Sequence, residues 1–109
     1  MVRKSILNDK PEILISKFYQ KLLANKIVVE KLILFGSYAR GLEKSWSDLD
    51  ICVVSKQFGK DKFEELVYLK RLASDIEPLI EPHPLHPNEL KDKWNVLVRL
   101  LKEYMIKLG

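Results

Sequence analysis

Apolar residues recur at Leu14, Ile15, Phe18, Tyr19, Leu22 and Leu23, the spacing of one helical face. Ahead of them, Asp9-Lys10-Pro11-Glu12 reads as a variant of the capping box. It has an acidic cap at Asp9, proline in the first turn and glutamate at the third position, so a first helix is expected to start near Asp9. The pattern then changes period. Residues 27–29 and 32–35 are bulky or β-branched apolar runs, and the second stops abruptly at Gly36-Ser37. That predicts a buried strand feeding a tight turn, with a short helix over 38–42 and a loop over 43–47. Residues 49–54 form the next apolar run and predict a second strand. A helix is expected over about 61–74, with Phe63, Leu66, Leu69 and Ala73 turned to the core. A third short strand is expected over 76–81, with Pro78 near its start or on a sheet edge. Pro82, Pro84 and Pro87 then mark a loop that also holds His83 and His86. A last helix is expected over about 88–108, its stripe made of Trp94, Leu97, Val98, Leu101, Met105 and Leu108.

Helices thus alternate with strands, which predicts an α/β (or α+β) fold with a small mixed sheet flanked by helices. At 109 residues the chain has room for one domain spanning 1–109 and one modest core. Apolar residues make up 47% and charged residues 31%, a balance that suits a globular protein. The net charge of +4 comes from lysines scattered over several segments. Such a spread reads first as a solvated surface, and it is too weak to argue for RNA binding. No apolar stretch reaches the length of a membrane span and no leader peptide is recognisable, so a cytoplasmic protein is expected. Cys52 is the only cysteine, which excludes an internal disulfide and fits a reducing compartment.

Two short segments change this bland picture. Gly36-Ser37 follows a buried strand and opens a helix. Glycine lets the backbone turn sharply and come close to a ligand, and free N–H groups at a helix start suit phosphate oxygens. The Ser37 hydroxyl adds a donor. Taken alone, such a pair is more often a plain strand-to-helix turn. Asp48 and Asp50 lie two apart at the start of the next strand, so both carboxylates point to the same face. Adjacent carboxylates repel unless a cation lies between them, and Mg²⁺ takes oxygen ligands while leaving room for phosphates. Taken alone, such a pair is slightly more often an N-cap at Ser47 followed by two exposed acids. Together the two segments are complementary, because metal-assisted phosphoryl chemistry needs both a phosphate cradle and a metal-type carboxylate set.

The run Gly36-Ser37-Tyr38-Ala39-Arg40-Gly41, followed by Ser47-Asp48-Leu49-Asp50-Ile51, resembles the signature of DNA-polymerase-β-like nucleotidyltransferases, and especially their minimal single-domain branch. The resemblance covers nearly the whole chain. It implies that Gly36 and Ser37 contact the β- and γ-phosphates of a nucleotide, and that Asp48 and Asp50 bind Mg²⁺. It also implies a third carboxylate on a later strand that helps hold the metal and activates the acceptor hydroxyl. The candidates are Glu81 and Glu77; Glu81 is preferred for its apolar lead-in, Leu79-Ile80. Arg40 would steady the phosphates, or else face solvent. Members of this branch are often encoded beside a small helical HEPN-type toxin. They act as its antitoxin, in some cases by moving AMP from ATP to a tyrosine of the partner. The resemblance therefore implies ATP as co-substrate and a HEPN-type partner, with homo- or hetero-oligomers expected; no membrane role is expected, since no apolar stretch is long enough to span one.

Two function classes follow from the same residues. One is an active nucleotidyltransferase, favoured by the intact Gly36, Ser37, Asp48 and Asp50 set. The other is a binding module of the same fold that silences its partner by occlusion, with weak or no catalysis. His83 and His86, three apart in a proline-rich stretch, are a weak metal signal without further ligands. Trp46, beside the signature, reads as packing or as a contact to a base or a partner.

Overall fold

The computed structural model describes residues 7–103 and 106–107. Helix α1 spans Pro11–Ala24, strand β1 Lys31–Phe35, helix α2 Gly36–Arg40 and strand β2 Leu49–Val54. Helix α3 follows at Lys62–Ser74 and strand β3 at Ile80–Leu85. A 3-10 helix at Pro87–Lys91, helix α4 at Val96–Glu103 and a two-residue strand β4 at Ile106–Lys107 complete the described elements. The sheet order is β3-β2-β1-β4. β1 runs antiparallel to β2 and β4, whereas β2 and β3 are parallel. The expected mixed sheet with flanking helices is therefore what the chain forms.

Side-chain alternation divides the sheet into two apolar faces. Leu32, Leu34, Leu49, Ile51, Val53 and Ile80 meet Leu14, Phe18 and Leu22 of α1 and Leu69, Leu72 and Ala73 of α3. Ile33, Phe35, Cys52, Val54 and Leu85 form the opposite face, closed by Val98 of α4. With cover on both sides, β2 reads as a nearly unbroken apolar run. Asp50 is the one β2 residue that keeps partial exposure.

Several elements depart from expectation. At α1 the N-cap is Lys10, not Asp9. Pro11 holds the residue before it in extended backbone, and Asp9 accepts only the Lys10 N–H, at 2.8 Å. In α3, Leu69 and Ala73 are buried as expected, but Leu66 is 39% and Phe63 73% exposed. Each three-residue step from Leu69 back to Leu66 and Phe63 falls short of the ~3.6 residues of a turn, so the row rotates out of the buried arc.

The third strand lies at Ile80–Leu85 rather than 76–81 and contains two of the prolines assigned to a loop. Its backbone parity explains how. Leu79 and Leu85 turn their carbonyls to β2, accepting from the N–H groups of Leu49 at 2.8 Å and Ser55 at 3.0 Å. Pro82 and Pro84 have the opposite parity, so their missing N–H groups fall on the open edge of the sheet, where no partner is required.

The expected helix over 88–108 is interrupted. His86 Nδ1 accepts from the Asn88 N–H at 3.0 Å, and the Glu89 carboxylate accepts from the His86 N–H at 2.9 Å, which caps the 3-10 turn. Asp92 is extended and ends that turn. Asn95 then accepts from the Val98 N–H at 3.3 Å, the position of an N-cap, and a separate helix begins. Val98 is buried, but Trp94 is 78% exposed. Met105, Leu108 and the Leu101 side chain lie outside what is described.

Two outcomes are expected from this packing. Leu69→Ala should cost about 2–5 kcal/mol in urea unfolding, whereas Phe63→Ser should stay within about 0.5 kcal/mol. The Cys52 thiol is pushed up from 9.0 to about 12, first by burial and then by the charge of Glu89. A folded-state value above the unfolded one gives stability that is complete below about pH 9 and lost as pH climbs toward 12. The urea midpoint of the native protein should therefore fall more steeply above pH 9 than that of Cys52→Ala.

Candidate active site

The C-terminal end of β1 delivers Gly36 at φ 75°, a conformation that side chains resist. A methyl group placed on Gly36 would also collide with Asp50 Oδ2. Two constraints thus require glycine, and the second presses the turn after β1 against the Asp50 carboxylate. Ser37, half-buried, follows in the single turn of α2. Gly41 closes that turn in the left-handed region, and the Leu42 N–H bonds the Ser37 carbonyl at 2.9 Å. Arg40, at the last helical position, is exposed.

Asp48 is the exposed residue just before β2. Asp50 stands two residues further, directly opposite Glu81 in the parallel register. The Asp48 carboxyl is raised above the usual carboxylate value, first by partial burial, then by the negative charges of Glu81 and Asp50, while Lys70 opposes the rise. The charges of Glu81 and Asp50 thus reach the Asp48 carboxyl from the adjoining strand ends.

Two basic groups adjoin this set. The ring of His83 lies edge-on to Phe35, with centroids 5.0 Å apart, and its Nε2 is 3.4 Å from Asp50 Oδ1. Lys70 of α3 reaches Glu81 Oε1 at 2.9 Å. Glu77 lies elsewhere. It is only 3% exposed, and its carboxylate accepts the backbone N–H groups of Asn8 at 2.7 Å and Leu79 at 3.1 Å. It secures the turn before β3, whereas Glu81 stands beside Asp50. The structure thus brings Asp48, Asp50 and Glu81 into one neighbourhood next to Gly36 and keeps Glu77 out of it.

Among the described residues, no three His, Cys, Asp or Glu side chains form a ready metal cage. The donor set nonetheless suits a hard divalent cation. It is all carboxylate oxygen, and after burial the negative charges of Glu81 and Asp50 are what raise Asp48, a repulsion that such a cation would relieve.

Lys70 and the placement of His83 were not found from sequence. Alternation from Glu81 to His83 would have put both on one strand face, had the limits of β3 been known. No spacing rule points to Lys70, because its contact depends on how α3 crosses β3.

A strand, a glycine turn and a short helix beside carboxylates on the next two strands define a nucleotide-transfer type of fold. The chain belongs to the nucleotidyltransferase domain family, whose model matches residues 15–108. Two Methanocaldococcus jannaschii proteins, each named "putative protein adenylyltransferase", are similar to it. One is 36% identical over 63 residues, covering 50% of this chain and 43% of its own length. The other is 33% identical over 84 residues, covering 73% of this chain and 82% of its own length. The chain thus spans under half of the first relative and most of the second. The fold is shared with a chain in a solved complex of tri-AMPylated Shewanella oneidensis HEPN toxin with MNT antitoxin. That match has a TM-score of 0.56 at 19% identity, over 92% of this chain and 72% of that one.

The glycine geometry gives a graded expectation. Gly41 also has positive φ, but a methyl there meets open space. Gly41→Ala should cost about 1–2 kcal/mol, the penalty of left-handed backbone alone. Gly36→Ala should lower the thermal midpoint further, because it adds the collision with Asp50.

Proposed function

We propose that the chain is a Mg²⁺-dependent nucleotidyltransferase that moves AMP from ATP to a hydroxyl of a partner protein. The observation that carries this reading is the placement of Glu81 opposite Asp50, with Asp48 two residues away and the Gly36 turn against Asp50. The adenylyltransferase names of the relatives favour AMP and a protein acceptor. The shared fold with a chain of the tri-AMPylated HEPN toxin–MNT antitoxin complex favours a HEPN-type toxin as the acceptor and an antitoxin role in a toxin–antitoxin assembly, and the resemblance of the signature adds a tyrosine as the acceptor group. No helix of the described residues is long and apolar enough to cross a membrane. The protein is proposed to act in the cytoplasm, where a lone buried Cys52 stays reduced.

In this mechanism Gly36 lets the backbone come close to the β- and γ-phosphates, and Ser37 offers them its N–H and hydroxyl. Arg40 steadies the same phosphates. Mg²⁺, held by Asp48, Asp50 and Glu81, would supply charge neutralisation for the phosphates and the acceptor oxygen. Glu81 accepts the acceptor's proton as general base. The freed oxygen attacks the α-phosphorus in line. The bond from the α-phosphorus to its bridging oxygen breaks, and pyrophosphate leaves.

The second reading is an occluding module with little catalysis. The observation in its favour is that, among the described residues, Asp48, Asp50 and Glu81 do not form a ready metal cage.

The test is transfer of label from α-labelled ATP with Mg²⁺, using purified protein and a lysate of the source cells. A labelled protein is expected, and chelation of divalent metal should abolish the signal. Asp48→Asn/Asp50→Asn should stay folded and lose transfer, and Glu81→Gln should lose about 10²–10⁴-fold. Full transfer by the folded double variant would overturn the mechanism. If that variant still silences the toxin partner, the occlusion reading holds.

A further inference from the structure

β3 forms an edge of the sheet, so one row of its backbone groups faces away from β2. By the parity that sends Leu79 and Leu85 toward β2, the Ile80 carbonyl faces outward. The Lys70 ammonium accounts for it. Lys70 Nζ donates to the Ile80 carbonyl at 2.7 Å, the Pro78 carbonyl at 2.8 Å and Glu81 Oε1 at 2.9 Å. An ammonium has three protons, and these three acceptors use all of them. Two of the acceptors are backbone carbonyls, that of Pro78 in the turn before β3 and that of Ile80 at the start of the strand. The cation is thereby located independently of Glu81.

This separates the contact from an ordinary surface ion pair. Such pairs contribute little, because two long side chains must be ordered to form them. Lys70 and Glu81 are only part-exposed, at 34% and 39%, and the backbone carbonyls already order the lysine. The charge is also well chosen. Glu81 brings a third negative charge opposite Asp50, and Lys70 is a cation bonded directly to it. Only Oε1 of Glu81 is engaged by the lysine, which leaves the second carboxylate oxygen for other chemistry.

We propose that Lys70 is a positioning residue for the transfer reaction: it anchors the Glu81 carboxylate to the edge of β3 and holds it beside Asp48 and Asp50. The inference rests on Glu81 acting as the third carboxylate, as proposed above. It adds a residue of α3, remote in sequence from the signature, to the working parts of the site. Because Lys70 acts through Glu81, its loss should affect the chemical step and spare nucleotide capture at Gly36 and Ser37.

The experiment joins kinetics with a measurement on the metal-free chain. With α-labelled ATP, Mg²⁺ and source-cell lysate as acceptor, Lys70→Met should lower kcat about 10- to 100-fold, leaving KM for ATP within about twofold. Lys70→Arg restores the charge but cannot place three donors at one point, so it should recover part of that loss. In a Glu81→Gln background, adding Lys70→Met should change kcat less than about twofold, because the lysine then has no carboxylate to orient. In the metal-free, nucleotide-free protein, the Lys70 ¹⁵Nζ resonance should be observable and should shift in Glu81→Gln.

A fully active Lys70→Met alongside a crippled Glu81→Gln overturns the Lys70 inference and leaves the function standing. An equal kcat loss from Lys70→Met in both backgrounds overturns it too, since the lysine then acts without Glu81. Full activity of Glu81→Gln removes the third-carboxylate role itself. An Nζ resonance unmoved by Glu81→Gln overturns the contact whatever the kinetics show, including when no acceptor is labelled or Lys70→Met fails to fold.

Discussion

The parallel pairing of β2 with β3 is the constraint on which the rest of the site depends. It is fixed at both ends, by the Leu49 N–H on the Leu79 carbonyl and the Ser55 N–H on the Leu85 carbonyl. Between these clamps the register sets Asp50 opposite Glu81 and Cys52 opposite His83. A slip of one residue would send Glu81 and His83 to the other face, among Ile51, Val53 and Leu69. Burial of both sheet faces makes that slip costly. The apolar core therefore secures the relative position of carboxylates that would otherwise repel each other.

The same logic governs the turn after β1. Gly36 touches the space of Asp50 only because β1 and β2 are antiparallel neighbours with Phe35 opposite Asp50. The strand end that supplies the turn and the strand start that supplies the carboxylates are thus brought together by one ladder. Phe35 serves twice, packing with Cys52 and Val54 and meeting the edge of the His83 ring. Chemistry-bearing groups stand at the rim of a sheet whose interior is closed by helices on either side.

How much of this was legible in sequence depends on whether a feature is local. The strand at Leu49–Val54, the glycine turn and the Asp48/Asp50 pair follow from runs and spacings within a few residues, and they could be read directly. The limits of the third strand could not, because proline normally argues against a ladder. Pro82 and Pro84 are tolerated only through the edge position and outward parity of β3, which are tertiary facts. The final helix failed for the opposite reason. The apolar stripe was real at Val98, but local side-chain caps at His86, Asp92 and Asn95 divided it. Phe63 illustrates a third limit, since an apolar residue near a helical stripe is not thereby on it.

Glu77 and Glu81 show how the fold gives unlike tasks to residues that look alike in sequence. Both are glutamates four apart, flanking the start of one strand. Glu77 is buried before the strand and satisfies backbone N–H groups, a duty that needs a fixed carboxylate and forbids a mobile one. Glu81 is part-exposed within the strand, facing Asp50, with a lysine rather than backbone N–H groups as its partner. A carboxylate bonded to backbone amides is committed to structure, because breaking those bonds would leave buried donors unsatisfied. A carboxylate held by an ammonium that has two other acceptors can exchange that partner without stranding a buried group. Glu81 therefore combines orientation with the freedom to take a proton, which is what the proposed chemistry requires of its base.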